Sequence, residues 1–283
     1  MAAQDIKALL DGFYSSFNFN ERVNNDPIEF PRCYNNRPDI ETAGLIAACL
    51  AYGKVSLFKP VIGSILSKMG TSPAGFLQDF DIKRHAGLFS GISYRFNKSE
   101  DITAFIYILH GAVIAHGSIK DAFMRTFNGS IYEALGEFSN YMLSIDTTAV
   151  YGSSVSPPGL RQLFPSPFKG GACKRFNMFL RWMVRDADID LGIWTEIPKN
   201  VLIIPLDTHI ARIARCLGLT NRKGNDWKAA VEITEALKLL DPDDPLKYDF
   251  ALCHHGISGA CTAALNEDAC KSCAIYSGSV KEL

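Results

Sequence analysis

Residues 164–219 read FPSPFKGGACKRFNMFLRWMVRDADIDLGIWTEIPKNVLIIPLDTHIARIARCLGL. A Pro/Gly-rich loop here delivers Lys174 to the start of one helix. A second loop ends in Pro205-Leu206-Asp207 and delivers an aspartate to the start of another, where Ile210, Ile213, Ala214 and Leu217 recur at helical spacing. Gly170 and Gly171 let the backbone bend tightly and expose amide N–H groups, which suits an anion such as phosphate. Lys174, Met178, Arg181 and Arg185 fall on roughly one helical face, which predicts a positive cleft edge or a plain solvated face.

Asp207 has two readings. An aspartate before a helix is an ordinary N-cap, accepting amide hydrogen bonds. Those bonds also hold the carboxyl ionised at neutral pH, and an ionised carboxylate in a cleft stabilises a cationic transition state. A lysine nearby attacks an electrophilic carbon or forms a Schiff base if burial, or a cation such as Arg175, depresses its pKa.

Working outward, nearly all of the chain shows helical periodicity. Ile6, Leu9, Leu10, Phe13 and Phe17 share one face. Asp39 is expected to cap a helix that stops near Gly53, and another is expected from about Ser56 to Met69 with Pro60 near its first turn. GISYRFN (91–97) reads as a turn or helix entrance, followed by an apolar helix from Ser99 to about Gly117. Ser118 with Asp121, and Ser130 with Glu133, have capping-box spacing. The pattern dissolves from Asp146 to Gly171, the longest irregular segment, and long ordered loops tend to be functional. Asp226 caps a helix through Leu240, and a last helix, PLKYDFALCHHG, follows. With no strong strand or repeat, the expected class is all-α, as two helical lobes with a cleft between them. One lobe is 39–145 and the other is 1–38 plus 146–283.

The net charge of −1 argues against a surface coated in basic residues but allows a local basic cleft. No basic n-region precedes an apolar run at the N-terminus and no stretch approaches a membrane span, so a cytoplasmic protein is expected, without a membrane partner. Four of the eight cysteines, Cys253, Cys261, Cys270 and Cys273, are spaced C-x7-C-x8-C-x2-C near the end of the chain. Without an export signal such a set is expected to bind metal rather than form disulfides, as a [4Fe–4S] cluster or zinc, with no metal as the third option.

GGACKRFN resembles the glycine-hairpin-plus-lysine element of endonuclease III-like DNA glycosylases, although Gly170-Gly171-Ala172 replaces the usual G-x-G. IIPLDTHIARIARCLGL resembles the Pro-Asp loop and following helix of the same helix-hairpin-helix–GPD superfamily. The link from Asp186 to Asn200 makes the Lys174–Asp207 separation longer, nearer the archaeal 8-oxoguanine glycosylases. LIAACLAYGK (45–54) resembles an early helix of the superfamily, with Tyr52-Gly53 where a DNA-contacting glutamine usually stands. The fullest likeness, through ACKRFNMFLRWMVR and DPDDPLKYDFAL, is to a bacterial family of unassigned function. The resemblance implies a monomeric base-excision enzyme acting on double-stranded DNA with a damaged or abasic nucleotide, nucleoid-associated if the source is bacterial.

In that reading Lys174 attacks the sugar C1′ of an extruded nucleotide and eliminates the 3′ phosphate through a Schiff base. Asp207 activates the lysine. Gly170, Gly171 and Ala172, with Arg175 and Arg181, hold the DNA backbone. Phe176 or Trp194 stacks on the base. The position of the cysteine set resembles the iron–sulfur loop of endonuclease III, although its spacing differs. The alternative is a non-catalytic nucleic-acid-binding protein of the same fold, and a third reading is a helical metalloprotein unrelated to DNA.

Overall fold

The computed structural model describes residues 3–154, 156–259, 261 and 273–277, and its regular structure is all helical. The helices of nine or more residues are α1 (Ala3–Ser16), α2 (Arg37–Leu50), α3 (Val55–Met69), α4 (Ser99–His116), α5 (Ile131–Ser144), α6 (Lys174–Val184), α7 (Thr208–Cys216), α8 (Trp227–Lys238) and α9 (Asp249–Ile257). Among the described residues no helix is long and apolar enough to cross a membrane.

Local signals set the helix ends much as expected. Ser118 Oγ accepts from the Asp121 amide at 2.9 Å, Ser130 Oγ from the Glu133 amide at 3.3 Å, and Asp226 Oδ1 from the Ala229 amide at 2.8 Å. Two expectations need correcting. Asn36, not Asp39, caps α2, accepting from the Asp39 amide at 2.9 Å. Pro38 occupies the tolerated first turn, so the helix starts earlier and the Asp39 carboxylate is left for other work. It accepts from Ser72 Oγ at 2.9 Å and the Ala74 amide at 2.8 Å, tying the short helix Pro73–Gln78 to α2. The segment 146–171 is also less irregular than its Gly/Pro content suggests. It holds helices at Thr148–Tyr151 and Pro158–Leu163 and a 3-10 turn at Pro167–Lys169, because proline is favoured where a helix begins.

α2 is buried along Asp39–Leu50 and packs on α6, whose residues Phe176–Val184 are buried as well. Gly44 makes the approach possible: a Cβ there would stand 3.0 Å from Met183 Cε and 3.3 Å from the Phe179 ring. Phe176 (1% exposed) and Trp194 (0%) are core residues, which corrects the expectation that either stacks on a ligand. Trp194 instead donates through Nε1 to Glu41 Oε1 at 3.1 Å, and its amide bonds the Met183 carbonyl at 2.7 Å. Those bonds fold the 186–200 link back onto α6.

Arg181 of α6 and Arg185, just after it, do not present free positive charge to the cleft, although Arg181 lines it. Arg181 and Arg185 are 3% and 2% exposed. Arg181 Nε reaches Asp190 Oδ1 at 3.2 Å, and its Nη1 pairs with Asp249 Oδ2. Arg185 reaches Asp190 at 3.2 Å, Asp188 at 2.8 Å and Asp244 at 2.9 Å. Arg181 is therefore withdrawn as a DNA-backbone contact: a buried guanidinium must be matched by carboxylates, and these supply the match. Asp190→Ala, which strips a shared partner from both arginines, should cost about 3–5 kcal/mol in urea unfolding. A loss below about 1 kcal/mol, the usual worth of a surface pair, would show that the network does not hold the fold.

Candidate active site

Lys174 owes its position to a tight turn. Gly170 closes the 3-10 turn Pro167–Lys169 at φ +80°, a conformation that glycine adopts without strain. Its N–H is spent on the Pro167 carbonyl at 2.8 Å, so of the three amides expected at a phosphate this one is already engaged. The Gly170 carbonyl accepts from the Trp227 amide at 3.0 Å, which ties the turn to the start of α8. Cys173, at φ +48°, turns the chain into α6, and Asn177 braces the entrance by donating to the Ala172 carbonyl at 3.0 Å. Lys174 is the first residue of the helix that follows.

Asp207 fulfils both of its readings at once. Oδ1 accepts from the amides of His209 and Ile210, each at 2.9 Å, as the N-cap of α7. Oδ2 remains for Lys174 Nζ, 2.8 Å away. A separation of 33 residues is thus closed by one charge-assisted hydrogen bond. Burial alone would raise the Asp207 pKa, but Lys174 and the capping amides outweigh it and hold the carboxyl below its ordinary value. Burial alone would lower the Lys174 pKa, but the carboxylates of Asp207 and Asp249 outweigh it and hold the ammonium above the ordinary lysine value. That is opposite to the depressed lysine expected, because the neighbour that matters is a carboxylate rather than Arg175.

The pair opens into a cleft of about 610 Å³. One wall is Ala51–Val55 with Phe58, and the other includes Lys174, Met178, Asp207, His209, Asp249, Phe250 and Cys253. Arg175 lines it too, but its guanidinium donates to the carbonyls of Cys49 and Gln162 and lies 5.3 Å from the Tyr52 ring centre. A backbone phosphate would have to compete with those carbonyls. A second cavity, of about 660 Å³, lies beside Phe96, Tyr151 and Pro157 and contains no lysine–carboxylate pair in contact.

The turn that packs behind Tyr52 of the cleft was not singled out as functional from the sequence. Tyr52 donates to Asn97 Oδ1 at 2.5 Å, and Tyr94 and Asn97 exchange backbone hydrogen bonds at 2.8 Å, making GISYRFN a rigid turn. Its tip carries Arg95 at φ +51° and Phe96, 66% exposed. The signal was present as an aromatic inside a turn, but exposure is not readable from a single sequence. Asp249 and Cys253, four residues apart on α9, face the cleft together.

Two described cysteines of the set have different partners. Cys253 Sγ lies 3.8 Å from Asp207 Oδ2, inside the cleft, and burial with the adjacent carboxylate keeps its thiol well above the usual range. Cys273 Sγ lies instead 3.5 Å from His255 Nε2. Cys270 is outside the described residues, and among those described no three His, Cys, Asp or Glu side chains are grouped to hold a metal ion. For Cys253 to serve as a cluster ligand its proton would have to be displaced, since ligation requires a thiolate.

With the site in view, comparison with known families becomes informative. The chain belongs to the family described as "Protein of unknown function (DUF2400)", whose model matches residues 26–258. No curated protein and no solved structure matched the chain. The DUF2400 match includes Lys174, Asp207, Asp249 and Cys253, and ends before Cys261, Cys270 and Cys273. The cleft residues, unlike that cysteine trio, lie within the part of the chain that defines the family.

The ion pair has a readable pH signature. A carboxyl whose folded pKa is lowered adds stability above its unfolded value of about 3.9, and loses it as pH falls through the folded value. Asparagine caps a helix about as well as aspartate, so Asp207→Asn isolates the charge pair. It should cost about 1 kcal/mol in urea unfolding at neutral pH, with the difference closing as pH falls through the folded Asp207 value. An undiminished cost at low pH would mean that the cap, not the charge, is what Asp207 contributes.

Proposed function

We propose that the cleft is the active site of a base-excision DNA glycosylase with abasic-site lyase activity, built on the helix-hairpin-helix–GPD plan. The observation that carries the reading is the 2.8 Å contact between Lys174 Nζ and Asp207 Oδ2, each at the start of its own helix and at the wall of one cleft. A potential nucleophile and a carboxylate in that relation suit attack on a sugar carbon followed by stabilisation of the cation that forms. The cleft, at about 610 Å³, has room for an extruded nucleotide.

In this mechanism Lys174 first loses a proton, and Asp207 Oδ2 is the acceptor in hydrogen-bond reach. The amine then forms a bond to C1′ as the glycosidic bond breaks, and the base departs with a proton. The sugar ring opens to a Schiff base on Lys174. Loss of a C2′ proton breaks the C3′–O bond and expels the 3′ phosphate. The proton that leaves with the base is the one Asp207 took up, so the carboxylate is ionised again and stabilises the positive charge at the sugar. No step runs through an iron–sulfur cluster.

One observation favours a second reading, a non-catalytic nucleic-acid-binding protein. The ion pair holds Lys174 as an ammonium at rest, and an ammonium is not a nucleophile. Borohydride trapping on an abasic duplex separates the two. The enzyme gives a covalent adduct that Lys174→Gln abolishes and that forms faster as pH rises, because more of the lysine becomes amine. Salt-dependent duplex binding with no adduct at any pH supports the binding protein instead. For the enzyme, Asp207→Asn should slow trapping by about 100-fold or more while leaving duplex affinity within a few-fold. Parallel loss of both would reduce Asp207 to a helix cap.

A further inference from the structure

Three carboxylates line the cleft: Asp26, Asp207 and Asp249. Asp26 is used by the Ile28 amide at 3.0 Å and by His254 Nε2 at 3.2 Å. Asp207 is used by its cap and by Lys174. Asp249 is different. It is 2% exposed, its Oδ2 pairs with Arg181 Nη1, and its Oδ1 is buried with no hydrogen-bond partner. A buried oxygen left without a donor is disfavoured, and native proteins rarely keep one unless something else supplies the donor.

Arg181 fixes the direction of that oxygen. Its guanidinium is held on its other side by Asp190 Oδ1 at 3.2 Å, so the Asp249 carboxylate is clamped rather than loosely placed. Asp249 opens α9, and one turn on the same helix brings Cys253 to Asp207. Asp249 lines the cleft that contains the lysine, and its unpartnered oxygen is distinct from the groups that would carry out the bond changes.

We infer that Asp249 is the specificity-determining acceptor of this cleft, receiving an N–H from the edge of the extruded base. The inference rests on the glycosylase reading above. The ligand class is a nucleobase with a ring N–H, as in 8-oxoguanine, hypoxanthine and uracil. Oxidation of guanine to 8-oxoguanine turns N7 from an acceptor into a donor, the change a lone carboxylate oxygen would distinguish. Asp249→Asn retains a carbonyl for Arg181 and presents an amino group to the cleft, converting the acceptor to a donor.

The test uses full-length protein and four duplexes, one abasic and three carrying a single 8-oxoguanine, hypoxanthine or uracil. An abasic site has no base to read, so borohydride trapping on it reports the lysine chemistry and the fold. Wild type is expected to trap the abasic duplex and excise at least one of the three bases. Asp249→Asn should trap the abasic duplex at least as fast as wild type, because loss of a carboxylate leaves more of Lys174 as amine, yet excise that base at least tenfold more slowly. Equal excision by the variant overturns the inference and leaves the glycosylase reading intact. Parallel loss on abasic and base-bearing duplexes overturns it too, showing that Asp249 serves the fold through Arg181. Wild type that traps the abasic duplex but excises none of the three bases also overturns it. Wild type that traps no abasic duplex removes the glycosylase reading and this inference with it.

Discussion

Two buried guanidiniums one helical turn apart organise the centre of this protein. Arg181 on α6 and Arg185 at its C-terminal end lie among Asp188, Asp190, Asp244 and Asp249, from the link after α6 and from the start of α9 and the loop before it. Charge taken out of water has to be matched closely, and few arrangements of three chain segments allow that. Matching it pins the 186–200 link against α6 and sets α9 beside the same helix. Lys174 stands at the other end of α6, so the network that secures the helix also determines what the lysine faces.

What it faces is an aspartate divided between two tasks. One oxygen closes the start of α7 and the other meets the ammonium. The cap makes the carboxylate rigid and the lysine keeps it ionised, so structure and reactivity draw on the same group. The turn that delivers Lys174 is equally constrained, through Gly170 to Pro167 and to Trp227. A resting ion pair is a stable ground state, and chemistry from it requires a proton to move from nitrogen to oxygen across a single hydrogen bond. Cys253 is at the same oxygen with its thiol protonated, which makes it part of this site.

The DUF2400 match runs across both walls of the cleft and the arginine network. It attaches the chain to a family without assigning that family a reaction. The glycosylase reading draws its support from the geometry of the lysine and the aspartate and from the cleft they share.

The sequence by itself determined the helices, and with them the two residues at helix starts. Period, glycine and proline punctuation, and capping spacing act within a few residues, so Ser118, Ser130, Asp226, Lys174 and Asp207 were all legible. Asp39 was misassigned because Asn36, three residues earlier, competed for the same cap. Only the tertiary structure decided which charges face the cleft. Arg181 and Arg185 look like a cationic stripe until Asp190, Asp244 and Asp249 arrive from distant segments, and Asp249 is unremarkable until one of its oxygens is buried without a partner. Such pairing depends on which segments meet, and a local pattern contains no record of that.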